Sequence, residues 1–408
     1  MTRTFPKGFL WGTSSAAHQV EGDNRNSDWW EWEQQPGHIA DGETSGIACD
    51  SYHRYREDFA LLREMKQNAH RMSVEWSRIE PSEGDFDARQ LRHYRDVLGE
   101  LREQGLAPMV TLHHFTNPTW FARKGGWTAP GSPRVFVRFV ERVADELGDL
   151  VAMWCTINEP SIYGAQGWVT GEFPPGHRGD LAGQYRVTAN MRRAHELAYV
   201  ALKRRRPDIP VGLSHHKFLF LPASRRRRDR LAAMAAQTVT DRWPARGGLR
   251  KIVEATCDYI GVAHYWAQAC AFDLTRRQDQ FVRRFNPPGE AVTDMGWASN
   301  PAWMARVLDE LKPYRKPVYL TENGIATMDD SLRVEYLPAV LAQVHAAIER
   351  GVDVRGYFHW TNLDNFEWAR GYAPRFGLIA VDRKTLERTI KPSGRLYARI
   401  AAANGLLD

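Results

Sequence analysis

Residues 151–160 read VAMWCTINEP: an apolar run, then Thr156-Ile157-Asn158-Glu159, then a proline. The run reads as a buried strand, and Pro160 stops it because a proline nitrogen has no hydrogen to give a ladder. Its end has two readings. Glu159 is an ordinary solvated strand terminus, or the strand exists to aim Glu159 at a substrate. Ten residues cannot choose between them.

Seven further apolar runs share this shape. They lie at 9–14, 69–76, 107–115, 210–217, 259–266, 317–324 and 354–361. Amphipathic stretches separate them, such as DSYHRYREDFALLREMKQ (50–67), ARQLRHYRDVLGELREQG (88–105) and PRVFVRFVERVADELGDL (133–150). Strands alternating with helices imply a parallel sheet. Eight such units in 408 residues predict a closed α/β architecture, the (β/α)8 TIM barrel. No Pro-, Gly- or Ser-rich linker divides the chain, so residues 1–408 read as a single domain. No strand is followed by GxGxxG or a Walker motif, which argues against nucleotide binding.

Composition is that of a globular protein, 43% hydrophobic and 25% charged, with 15 Trp. Large flat rings suit sugar faces as well as cores. The N-terminus MTRTFPKGFLWG has no apolar h-region and no run nears 18 apolar residues, so the expected location is cytoplasmic, with no membrane partner. Net charge is +6, and 45 of the 55 basic residues are Arg. One cluster, KRRR at 203–206, ends a helical stretch before Pro207, where cations favour the helix C-terminus. The other, RRRR at 225–228, falls in a polar connection, and no nucleic-acid partner is expected. Cys49, Cys155, Cys257 and Cys270 have no CxxC spacing and read as buried free thiols.

A barrel makes a demand of its own, since chemistry gathers where the C-terminal ends of the strands share one face. Those ends read SVEW, LHHF, INEP, AHYW, LTENG and FHWTNLDNFEW. Two deliver a glutamate after a polar residue, Glu159 and Glu322, 322 − 159 = 163 positions apart. Paired carboxylates without an obvious metal set suit glycosidic bond cleavage, one as acid and the other as nucleophile or base.

The longer motifs are FPKGFLWGTSSAAHQVEG (5–22), RMSVEWSRIEP (71–81), TINEP (156–160), YLTENG (319–324) and WTNLDNFEWARGYAPRFGL (360–378). In this order, and over nearly the whole chain, the sequence resembles glycoside hydrolase family 1, the β-glucosidases and β-galactosidases. The resemblance implies a retaining double displacement with Glu322 as nucleophile and Glu159 as acid, then base. Arg71 and Tyr265 are expected to support the Glu322 anion, and Glu159 to sit in a less polar setting. Gln19, His114, Asn158 and Glu367 are expected on sugar hydroxyls, Asn158 at the 2-hydroxyl. Trp360 would stack under the ring and Trp368 donate its indole N–H. Trp297 reads as an aglycone wall or as core. A carboxylate at Glu367 would repel a phosphate, so the expected substrate is an unphosphorylated β-D-glucoside or short oligosaccharide, with galactosides and fucosides not separable. No cofactor and no metal is called for, and the oligomeric state is open.

Three departures stand out. Ala263-His264 replaces the usual Asn-Tyr before Tyr265, Phe115 stands where a Trp is common, and the chain is short between Trp243 and Tyr259 and between Trp266 and Asp294. Glu172 and His177 are further rim candidates. The altered mouth leaves open a transglycosylase, a sugar-binding protein without turnover, and a metal-dependent hydrolase drawing on His113, His114, His215, His216 and His264.

Overall fold

The structure is a computed structural model and describes residues 3–242, 248–277 and 281–406; Trp243, one end of a shortened connection, lies outside them. Each of the eight expected runs supplies one barrel strand. These are β1 (Leu10–Ser14), β2 (Ala69–Ser73), β3 (Ala107–Thr111), β4 (Met153–Asn158), β5 (Val211–His216), β6 (Tyr259–Ala263), β7 (Val318–Asn323) and β8 (Val354–Trp360). All neighbours pair in parallel, and the sheet closes where Trp360 of β8 faces Ser14 of β1. The strands are shorter than the apolar runs because each run continues into a turn. After β2, for example, the Glu75 side chain accepts from the Ser77 amide and starts the helix Trp76–Ile79.

The amphipathic stretches form helices outside the barrel, including Ser51–Glu64, Ala88–Glu103 and Ser132–Leu147. In the last, Phe136, Phe139, Val140, Val143, Ala144 and Leu147 are buried. That is the i, i+3, i+4, i+7 spacing of one helix face. Inside the barrel, Ala69, Met109, Met153, Tyr259 and Phe358 fill the N-terminal half. Gly12 faces this layer, and a Cβ there would lie 2.6 Å from the Phe358 ring. Closure at this point needs a residue without a side chain.

Short as they are, the connections after β5 and β6 build a small appendage. Strand Ala267–Phe272 pairs with Leu219–Pro222 and with Val282–Phe285. The helix Arg227–Arg242 packs on it over Phe220, Ala232, Ala233, Ala236, Cys270 and Val282. Arg227 and Arg228 therefore open a helix, which corrects the reading of 225–228 as wholly a polar connection. The other cluster closes the helix Leu181–Arg205, as expected. All four cysteines are buried free thiols. Among the described residues, no helix is long and apolar enough to cross a membrane.

Candidate active site

Two residues beyond Ala69 on β2, Arg71 stands on the barrel axis with no exposed surface. Its fork is fully used. Nη1 donates to Glu322 Oε1 at 2.5 Å, Nη2 to Asn158 Oδ1 at 2.7 Å, and Nε to Thr111 Oγ1 at 3.1 Å. Tyr265 donates its hydroxyl to the other oxygen of Glu322 at 2.8 Å. The structure thus brings together Arg71, Asn158, Tyr265 and Glu322 from four separate strand ends.

Strict alternation would not have done this. Tyr319 points into the barrel layer, so Thr321 follows it inward and Glu322 would face out. β7 carries one extra residue after Leu320 relative to β6, and β4 carries one extra between Cys155 and Asn158 relative to β5. Such bulges re-aim the next side chain. Here they turn Glu322 and Asn158 onto Arg71.

Glu159 follows in the left-handed region at φ 41°, its amide donating to Ser214 O at 2.9 Å. Pro160 then opens the helix Pro160–Ala165 at its first position, where a missing N–H costs nothing. The proline thus begins a helix as well as ending a strand. The Glu159 carboxyl is buried without the guanidinium and phenol that hold Glu322, and it has one polar neighbour, Oε1 lying 2.7 Å from His216 Nδ1. His216, at the end of β5, was weighed only as a metal ligand. Its place at a strand end was the available signal. Thr111, which holds Arg71, was likewise missed.

The sugar-side candidates form one wall. Asn158 Nδ2 donates to His114 Nε2 at 3.1 Å. Burial holds the His114 imidazole well below its usual range, with the Arg71 charge adding to the effect. It is neutral with its hydrogen on Nδ1, and Nδ1 has no partner among the described residues. Gln19 Nε2 donates to Phe366 O at 2.8 Å and reaches Glu367 Oε2 at 3.3 Å, while Gln19 Oε1 is buried with no partner among the described residues. Trp360 lies 5.7 Å from His114 at 28°, and Trp368 lies 6.2 Å from the same ring at 22°. Trp297 stacks on Trp266 at 5.8 Å and sits 5.9 Å from Tyr265, so it flanks the site while also packing against the main core. Phe115 packs edge-on to Trp368 at 5.4 Å.

The remaining candidates scatter. His264 Nδ1 donates to Lys217 O, and His113 Nε2 meets Asn117 Oδ1. Of the imidazoles proposed as metal ligands, His113, His114, His216 and His264 serve different partners. Glu172 pairs with Arg370 at 3.5 Å, and both line a cavity of about 360 Å³ with Trp32, His38 and Arg178, whose lining includes neither Glu159 nor Glu322. His177 lies 6.1 Å from the Trp168 ring.

Charge is unevenly supported here. Burial pushes the Glu322 carboxyl up to about 7; the Glu159 charge adds to this, and Arg71 and Tyr265 oppose it. Burial raises Glu367 further, to about 8, with Glu322 adding and Gln19 and Trp360 opposing. Glu322 and Glu367 are two buried carboxyls that oppose each other's ionisation. The cation and the phenol both touch Glu322, so the negative charge settles there.

Residues 1–250 and 245–406 match the model of glycosyl hydrolase family 1. Beta-glucosidase A of Acetivibrio thermocellus is 32% identical over 449 aligned positions, covering 98% of this chain and 99% of that one. A bifunctional beta-D-glucosidase/beta-D-fucosidase of Bifidobacterium breve is 32% identical over 458 positions, covering 98% and 99%. The family 1 b-glucosidase from Thermotoga maritima superposes over the whole of both chains with a TM-score of 0.94 at 30% identity. The chain belongs to glycosyl hydrolase family 1 and is a β-glycosidase.

Proposed function

We propose that the protein is a retaining β-glycosidase acting on unphosphorylated β-D-glucosides, with β-galactosides and β-fucosides as further substrates. The observation that carries this is the contrast between two neighbouring carboxyls. Glu322 is held by a guanidinium and a phenol, which favour its anion, while Glu159 has neither. That is the asymmetry a nucleophile and an acid require.

Glu322 attacks the anomeric carbon as the bond to the leaving oxygen breaks, and Glu159 gives that oxygen its proton. The ester formed at Glu322 carries no charge. Glu159, now ionised and facing no anion, takes a proton from water, whose oxygen displaces Glu322 from the anomeric carbon. Two inversions leave the β-configuration unchanged. Asn158, fixed by Arg71 and His114, is placed for the 2-hydroxyl beside this carbon. Gln19 Oε1 and His114 Nδ1 are a buried acceptor and a buried donor without partners among the described residues. Buried polar groups are rarely left so, and sugar hydroxyls would satisfy both. Trp360 supplies the stacking face, and Trp368 an indole N–H.

The case against a phosphorylated sugar takes a different form from the one expected. With its carboxyl at about 8, Glu367 is mostly neutral at pH 7 and repels a phosphate weakly. What disfavours phosphate is the company of Glu367, namely Gln19 and Trp360 rather than a lysine or arginine.

The test is stereochemical. Proton NMR of a nitrophenyl β-glucoside digest should show the β-hemiacetal first, and a 2-deoxy-2-fluoroglucoside should add covalently to the peptide bearing Glu322. The α-product appearing first overturns the mechanism. Faster turnover of the 6-phosphoglucoside in the same nitrophenyl panel overturns the substrate assignment.

A further inference from the structure

The carboxyl of Glu159 must keep its aim while it loses a proton and regains one. Its one side-chain hydrogen bond among the described residues is to His216, with side chains 7% and 5% exposed. The His216 ring is itself fixed. It lies 4.3 Å from the Phe218 ring and stacks on Tyr265 at 6.1 Å and 19°. Tyr265 in turn holds Glu322. One pair of rings thus spans the two carboxyls, from Glu159 Oε1 through His216 and Tyr265 to Glu322 Oε2.

Resting on the acid role assigned to Glu159 above, we propose that His216 is the positioning residue of that acid, donating Nδ1–H to Oε1 so that the transferable proton is carried on Oε2. A neutral imidazole has one donor nitrogen and one acceptor. With the hydrogen on Nδ1, Oε1 accepts in both states of the carboxyl, and no tautomer change is needed during the cycle. Nε2 is then a buried acceptor, in keeping with its lack of a partner among the described residues. Because Oε1 is occupied, the acid proton is carried on Oε2, the oxygen left free for the leaving group. As that proton departs the carboxyl becomes an anion, and a hydrogen bond to an anion is shorter and stronger than one to a neutral acid. The contact therefore tightens along the reaction, the kind of interaction that lowers a barrier. When water later attacks, the same bond holds Oε2 in place as the base.

Two substitutions separate this role from packing. His216→Phe keeps a ring against Tyr265 and Phe218 but removes the donor, whereas His216→Asn places an amide N–H near the position of Nδ1. For His216→Phe, kcat/KM on aryl glucosides with poor leaving groups should fall roughly 10- to 100-fold, while that on a dinitrophenyl glucoside, which needs little proton transfer, should change less than about threefold. His216→Asn should recover most of the loss, and thermal melts should show both variants folded. Equal losses across leaving groups, or an Asn variant no better than Phe, overturn the assignment of His216 alone. A wild-type protein that turns over no aryl β-glycoside overturns the proposed function, and this role with it.

Discussion

At the N-terminal end of the barrel the interior is closed by Ala69, Met109, Met153, Tyr259 and Phe358. Two residues further along the same strands stand Arg71, Thr111, Cys155, Gly261 and Trp360. The first set is apolar apart from the Tyr259 hydroxyl, which donates to Trp154 O. The second surrounds a buried guanidinium and three buried carboxyls. Burying a charge costs several kcal/mol even when it is paired. The apolar layer, with the shell of helices outside it, supplies stability that the polar layer spends. One end holds the barrel shut, and the other uses the rigidity this provides.

The largest test of that division is Glu322→Ala. Turnover of an aryl β-glucoside per folded molecule should fall by about 10⁴-fold or more, and the melting temperature should fall as well, because the buried Arg71 charge loses its carboxylate partner. Near-normal activity would break the comparison at its polar end. Next comes Glu159→Ala, expected to cost about 10²- to 10⁴-fold on substrates with poor leaving groups and far less on activated ones. A loss independent of the leaving group would remove Glu159 from the acid role.

Phe358→Ala tests the opposite end. It should cost about 3–5 kcal/mol of stability, read by denaturant melts, while kcat per folded molecule stays near wild type. If activity drops with stability intact, the two layers are not separable. The smallest effect is expected for Glu367→Gln and depends on pH. The folded carboxyl holds its proton up to about 8, against an ordinary value of 4.5. Between those values the native state binds more protons than the unfolded chain, so its stability falls as pH rises. The Gln variant lacks this penalty and should gain on the wild type progressively from pH 4.5 up to about pH 8, then level off. A gap constant across pH would show that Glu367 ionises freely.

The eight strands and the helices between them were legible because each is announced by local periodicity. TINEP and YLTENG marked the two carboxyls, and RMSVEWSRIEP marked Arg71. His216 was not legible in the same way. The tandem His215-His216 sits at a strand end, but only the fold shows that one imidazole meets Glu159. Likewise Arg227 and Arg228 follow no apolar pattern, so the helix they open depends on a small core shared with one earlier strand and two later ones.

By itself, then, the sequence determined the barrel and the face on which chemistry gathers. The direction in which Glu322 and Asn158 point was decided by tertiary structure alone. An alternating strand sends Thr321 inward and Glu322 out, and no motif contradicts that. The extra residue in β7 and in β4 exists only relative to the neighbouring strand, since a bulge is a mismatch in pairing rather than a property of one segment. Pairing between strands so far apart in sequence is set when the barrel closes.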